Sequence, residues 1–186
     1  RLGLPVPPGF IISTEVCKLF YKNKKRLPKQ VLKSIQLELK TIEKLTSRKF
    51  GDLKNPLLVS VRSGARVSMP GMMDSILNLG LNDQTVKALA KKTGNGRFAK
   101  ESYRRFIQMY SNVVLNIEGH LFEGMIDSQK LNKGVLLDTE LEENDWDELI
   151  QRFKELVKKQ TKKKFPQSVQ EQLYGAISAV FLSWDS

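Results

Sequence analysis

The chain has 186 residues with 31 Lys+Arg against 20 Asp+Glu, a formal charge of +11 with its one His neutral. Its 40% hydrophobic and 27% charged residues exclude a disordered tail, and its 12 Gly and 7 Pro exclude a collagen-like or low-complexity chain. One cysteine, Cys17, excludes an internal disulfide, no Cys/His cluster suits structural zinc, and no apolar run reaches the about 18 residues of a membrane helix.

The opening residues lack the pattern of a signal peptide, so the expected compartment is reducing and aqueous, that is, cytoplasmic. Arg1 in place of a methionine, and a stop at Ser186 directly after an apolar helical pattern, read as a piece of a longer polypeptide. A compact body of this size would bury roughly 70% of its unfolded surface, enough for a core.

Pro5, Pro7 and Pro8 keep the opening out of helix or central strand, since proline fixes φ and removes a donor. Phe10-Ile11-Ile12 is a short apolar run before Ser13-Thr14, which predicts a strand. The hydroxyl of Ser13 or Thr14 is then expected to cap a helix running to about Tyr21. After a basic connector, Pro28 suits a helix first turn, and Val31, Ile35, Leu39, Ile42 and Leu45 recur at spacings of three and four as one buried stripe. Residues 57–62 predict a buried strand, residues 63–71 a loop of small and turn-forming residues, and residues 73–79 a returning strand closed by Gly80.

Beyond Asn82 the pattern turns helical. A short helix is predicted over 85–92, ending before Gly94, and a longer one over 98–117 with Phe106, Ile107, Tyr110, Val113 and Val114 on one face. His120 stands near a further helix start. Trp146, Leu149, Ile150, Phe153, Leu156 and Val157 form the clearest amphipathic stripe, and the lysines of 158–164 suit the negative end of that helix. After Pro166 a last helix carries Val169, Leu173, Ile177, Val180, Phe181 and Trp184. No internal repeat is visible.

The loop after Arg62 holds the most chemistry. Its glycines and serines leave backbone amides uncovered, while Arg62 and Arg66 add guanidinium forks that match phosphate oxygens. Met69, Met72 and Met73 offer adaptable apolar contact beside a base or sugar. The same residues also fit a surface hairpin with solvated arginines and core methionines. Gly94-Asn95-Gly96 follows a helix, not a strand, and is not a dinucleotide site.

His120 reads as structural or solvent-facing, and Cys17 as a thiol packed beside Phe20 and Tyr21. The carboxylates of 138–148 read as a helix N-terminus and not as a metal site. Tyr103-Arg104-Arg105-Phe106 and the lysines of 158–164 leave nucleic-acid binding open as an alternative, as is a non-catalytic interaction module, although Phe106 belongs to an apolar stripe.

The run Val59-Ser60-Val61-Arg62-Ser63-Gly64-Ala65-Arg66-Val67-Ser68-Met69-Pro70-Gly71-Met72-Met73-Asp74-Ser75-Ile76-Leu77-Asn78-Leu79-Gly80 resembles the pyruvate, phosphate dikinase family. The likeness extends to Pro7-Pro8-Gly9-Phe10, to residues 102–111 and to residues 179–185, so it covers essentially the whole chain.

The resemblance implies an α+β fold: part of an ATP-grasp-type nucleotide-binding domain with an inserted helical subdomain. Residues 1–81 would be the first part of the nucleotide-binding domain, 82–167 the helical subdomain, and 168–186 a helix returning to the first part. The family converts ATP, phosphate and pyruvate to AMP, pyrophosphate and phosphoenolpyruvate through a phosphohistidine on a separate domain.

By position Arg62 matches the family's phosphate-binding arginine, and Gly64, Ser68, Gly71, Met72 and Met73 fall in the loop over the triphosphate. No catalytic residue or metal ligand is expected in this chain. The nucleotide-binding lysine segment would precede Arg1, and the ligands of the Mg2+ that accompanies ATP would lie beyond Ser186. The implied partners are ATP, the phosphohistidine domain and the pyruvate-binding barrel of the same polypeptide, with homodimers of the full-length enzyme and no membrane.

Overall fold

The computed structural model describes residues 6–64 and 75–184. Among them are α1 (Thr14–Lys22), α2 (Lys29–Thr46), β1 (Lys49–Phe50), β2 (Pro56–Leu57), β3 (Val59–Arg62), β4 (Ser75–Leu79), α3 (Thr85–Thr93), α4 (Gly96–Val113), α5 (Gly119–Lys133), α6 (Glu143–Thr161) and α7 (Val169–Leu182). A 3-10 turn at Asp138–Glu140 precedes α6. The fold is α+β, dominated by helix.

Phe10-Ile11-Ile12 is not a strand. Phe10 and Ile12 pack on a core while Ile11 is 94% exposed, so the run keeps a strand's alternation but has no ladder partner among the described residues. Ser13 occupies the cap position of α1, yet its carbonyl and not its hydroxyl serves there, accepting from the Val16 amide at 3.0 Å. Pro28 stands one residue before α2 instead of inside it. Ile35 and Ile42 of α2 are buried, but Leu45 is 69% exposed. At 3.6 residues per turn Leu45 lies about 80° around the helix from Ile35, at the edge of the stripe.

The single strand foreseen over 57–62 is two. Pro56–Leu57 pairs in parallel with Lys49–Phe50, and Val59–Arg62 pairs antiparallel with Ser75–Leu79. The second register runs Val59 to Leu79, Val61 to Ile76 and Arg62 to Ser75, so two residues of β4, Leu77 and Asn78, oppose Ser60 alone. Asn78 takes the left-handed conformation at φ 61°, which asparagine tolerates better than most residues. This bulge resets the alternation of β4. Ile76 and Leu79, three apart, both reach the core at 0% exposure, whereas strict period-two alternation would put them on opposite faces.

Two apolar clusters fill the molecule. The larger joins Ile76, Leu79 and Leu81 to α3–α6 through residues such as Tyr103, Phe106, Phe122, Trp146 and Phe153. The smaller joins Cys17 and Phe20 of α1, Ile35 and Ile42 of α2, Phe50 and Leu57. Helix α7 serves both, giving Ala176 and Val180 to the first and Val169, Leu173, Ile177 and Phe181 to the second. The Tyr21 hydroxyl adds a polar tie from α1, donating to the Phe181 carbonyl at 2.9 Å.

Helix boundaries follow local chemistry. Gly94, at φ 64°, ends α3, and the Asn95 side chain accepts the Phe98 amide at 2.8 Å to start α4. Helix α4 stops at Val113 and not near Ile117, because Asn116 turns left-handed at φ 54° and the Ile117 amide donates back to the Ser111 carbonyl at 3.0 Å. Ser168 caps α7 by accepting from the Glu171 amide at 3.3 Å.

A buried junction links the hairpin to α7. The Gly80 amide donates to Gln172 Oε1 at 3.1 Å, and Gln172 Nε2 donates to the carbonyls of Leu81 and Pro166, each at 2.9 Å. Thr85 Oγ1 donates to the Gly80 carbonyl at 2.7 Å. Gln172 and Thr85 are both fully buried, so these bonds satisfy groups that water does not reach. Nearby, Asn82 Nδ2 donates to the Gln167 carbonyl and the Asp83 amide to Gln167 Oε1, both at 2.9 Å.

Gly80 has φ 107°, and a Cβ there would stand 2.9 Å from the Leu57 carbonyl oxygen and from a Phe50 ring carbon. Gly80→Ala is expected to lower stability by roughly 2–4 kcal/mol, read as a fall in the urea midpoint.

The start of α6 carries a second test. Asp145, 2% exposed, accepts the Glu142 amide at 2.9 Å and Gln129 Nε2 at 3.2 Å, and meets Lys133 Nζ at 2.9 Å. Burial opposes its ionisation, but the Glu142 amide, Lys133 and Gln129 together outweigh that and hold its pKa below the usual aspartate value. A depressed folded-state pKa gives stability that is present at neutral pH and lost as pH falls through that pKa. Asp145→Ala is therefore expected to cost roughly 1–2 kcal/mol at neutral pH, with the gap to wild type narrowing in acid. Urea titrations at neutral and acidic pH check it, and a gap independent of pH would contradict it.

Candidate functional site

The hairpin of β3 and β4 opens at Arg62. On β3 the inward residues are Val59 and Val61 and the exposed ones are Ser60 and Arg62. Arg62 is therefore the last strand residue on the solvent face, opposite Ser75. No ion pair holds it among the described residues, so its guanidinium is not committed to a structural carboxylate there. A fork left in water keeps its five donors for an anion.

Gly64 is exposed, and a Cβ added to it would meet nothing within 4 Å. Nothing described around it crowds the backbone. Of the other sequence-predicted site residues, Ser68, Gly71, Met72 and Met73 lie outside the described residues. The structure thus brings Arg62 and Gly64 together at the mouth of the hairpin.

Ser63 stands between them, and its Oγ accepts the indole N–H of Trp184 at 3.0 Å. By spacing, Trp184 belongs to the stripe of the last helix. Instead it follows the end of α7, half-buried, with its ring edge to Phe181 at 6.0 Å between centroids. Periodicity flagged the residue as apolar and gave no sign of its hydrogen bond, which spans 121 positions.

The other candidates resolve into structure. His120 is solvent-facing, its side chain 68% exposed, with Nδ1 3.3 Å from Glu118. Cys17 is buried on α1 in the same cluster as Phe20. Gly94 and Asn95 are the junction between α3 and α4.

The carboxylates of 138–148 are used locally. Asp138 pairs with Lys130 at 3.1 Å, Asp147 with Lys100, and Glu140 accepts the Leu136 and Leu137 amides at 3.0 and 2.7 Å. Among the described residues no group of three or more His, Cys, Asp or Glu could hold a metal ion.

Tyr103 and Phe106 are each 1% exposed, so these rings fill the core and offer no stacking platform for bases. Arg104 between them is also buried, with its guanidinium 5.0 Å from the centroid of Trp146 and Nη1 donating to Gln108 Oε1 at 2.8 Å. Burial lowers its pKa, and the neighbouring Arg105 lowers it further. Tyr103 donates to Asp83 at 2.9 Å, and burial pushes its phenol pKa far up. No described helix is long and apolar enough to cross a membrane.

No family model matches the chain. Curated proteins do. Pyruvate, phosphate dikinase of Clostridium symbiosum is 52% identical over 186 residues, which is 100% of this chain and 21% of that protein. The pyruvate, phosphate dikinase of Entamoeba histolytica is 50% identical over 184 residues, 99% of this chain and 21% of that one. The chloroplastic pyruvate, phosphate dikinase of Flaveria pringlei is 48% identical over 185 residues, 100% of this chain and 19% of that one. The resemblance first read around Arg62 thus extends over the whole chain, which is similar to a segment amounting to about a fifth of the length of these pyruvate, phosphate dikinases.

Proposed function

We propose that this chain is part of the ATP-binding domain of a pyruvate, phosphate dikinase, and that Arg62 grips the phosphates of ATP. The observation that carries the reading is the guanidinium at the mouth of the hairpin, exposed and without a described carboxylate partner, in a chain 52% identical to such an enzyme. Gly64, Ser68, Gly71, Met72 and Met73 are assigned to the loop over the triphosphate. The domain is of the ATP-grasp type, with residues 82–167 as its helical subdomain. Residues 168–186 return to the first part, in keeping with α7's contribution to both clusters.

In the full-length enzyme ATP, phosphate and pyruvate become AMP, pyrophosphate and phosphoenolpyruvate, with the phosphoryl group carried by a histidine of another domain. Positioning and charge neutralisation dominate phosphoryl transfer, and Arg62 supplies both at the nucleotide. A guanidinium fixed at a strand end meets two phosphate oxygens at once and neutralises charge that grows as the bridging bond breaks. The net positive charge of the chain draws a polyanion toward it. Magnesium is expected to arrive with ATP. Its protein ligands are assigned, from the family resemblance, to other parts of the enzyme. The reading also includes a cytoplasmic location and a homodimer of the full-length enzyme.

Two measurements test the proposal. The isolated chain is expected to have no dikinase activity and to bind Mg·ATP weakly or not at all by calorimetry; micromolar affinity would contradict this. In the full-length enzyme, Arg62→Ala should slow ATP-dependent phosphoenzyme formation by about 10- to 1000-fold while sparing the pyruvate half-reaction. Equal loss in both half-reactions would point to damaged folding instead.

A further inference from the structure

The bond between Trp184 and Ser63 crosses from the end of α7 to the residue where β3 gives way to the loop. The ring packs edge-on to Phe181, and beyond that packing the indole adds one donor, aimed at Ser63 Oγ from 3.0 Å. The ring itself is held, because Trp184 packs on both apolar clusters while Ser63 lies between Arg62 and Gly64. The donor is thus fixed to the two apolar clusters, and its half-buried acceptor stands between the exposed Arg62 and Gly64.

We propose that Trp184 is a positioning residue for ATP. By holding Ser63 it fixes the direction in which the backbone leaves β3, and with it the approach of Arg62 to the phosphates. The inference rests on the reading of Arg62 as the phosphate-binding arginine. Its physical basis is preorganisation: a group ordered before the ligand arrives does not have to be ordered at binding. The contribution is that of a neutral hydrogen bond in a half-buried place, so it acts on nucleotide affinity and not on the chemistry of the distant half-reaction.

The test uses the full-length enzyme with Trp184→Phe, Ser63→Ala, the double variant and Arg62→Ala, each measured in both half-reactions and by thermal melting. Trp184→Phe keeps a smaller aromatic ring and loses the donor; Ser63→Ala loses the acceptor. Each is expected to raise KM for Mg·ATP about three- to tenfold with kcat and the pyruvate half-reaction unchanged. The double variant should go no further than either single one, because both remove the same bond.

If Trp184→Phe and Ser63→Ala leave KM for ATP unchanged while Arg62→Ala raises it, the inference fails and the ATP reading stands. If none of the three moves it and Arg62→Ala also leaves ATP-dependent phosphoenzyme formation unslowed, both fail. A lowered Tm with equal losses in both half-reactions, or additive effects in the double variant, would assign Trp184 a purely structural role and overturn the proposal.

Discussion

One extra residue in β4 lets both strands of the hairpin that ends at Arg62 bury their apolar residues. With Leu77 and Asn78 together opposite Ser60, both Ile76 and Leu79 reach the core, and their partners Val61 and Val59 turn inward with them. Arg62 and Ser75, the next pair, are left at the open end with Arg62 in solvent. A hairpin without the bulge would bury only one of the two apolar residues of β4. The alternation of β3, with Val59 and Val61 inward, then leaves Arg62 on the solvent face.

Helix α7 links that hairpin to the rest of the molecule. Its high apolar content makes sense once it is seen to lie between two clusters, with Ala176 and Val180 on one and Leu173 and Phe181 on the other. A helix in that place has little surface left for water, and the one long polar side chain it buries completely, Gln172, is spent on the backbone of Gly80, Leu81 and Pro166. The helix that begins beside the hairpin's closing glycine ends beside its opening loop, where Trp184 reaches Ser63.

What the sequence disclosed was periodic. The stripes of α6 and α7, the bounds of α3 and the hairpin with its closing glycine all follow from spacing and punctuation, because burial of one face imposes its period on the residues. What it concealed was pairing. Phe10-Ile11-Ile12 alternates like a strand and finds no neighbour, residues 57–62 read as one strand and divide between two partners, and Leu45 fits the spacing yet sits at the rim of its stripe. Helix α4 ends early at an asparagine that no period announces. At the candidate site, Arg62 and Gly64 were legible from a loop's composition and a family resemblance. The Trp184 contact was not, since a hydrogen bond between residues far apart leaves no local mark.

The hydrogen bonds of Asn82 and Asp83 to Gln167 close a chain excursion of some 84 positions at its neck. Everything from α3 to α6 leaves and re-enters through that one place, beside the Gly80 to Gln172 contact. Lengthening or trimming a turn at the far end of the excursion, such as 134–142, leaves the neck's geometry alone, because loop closure grows costlier only slowly with length. The β3–β4 hairpin and the helical bulk can in this way change in length independently while sharing a single doorway.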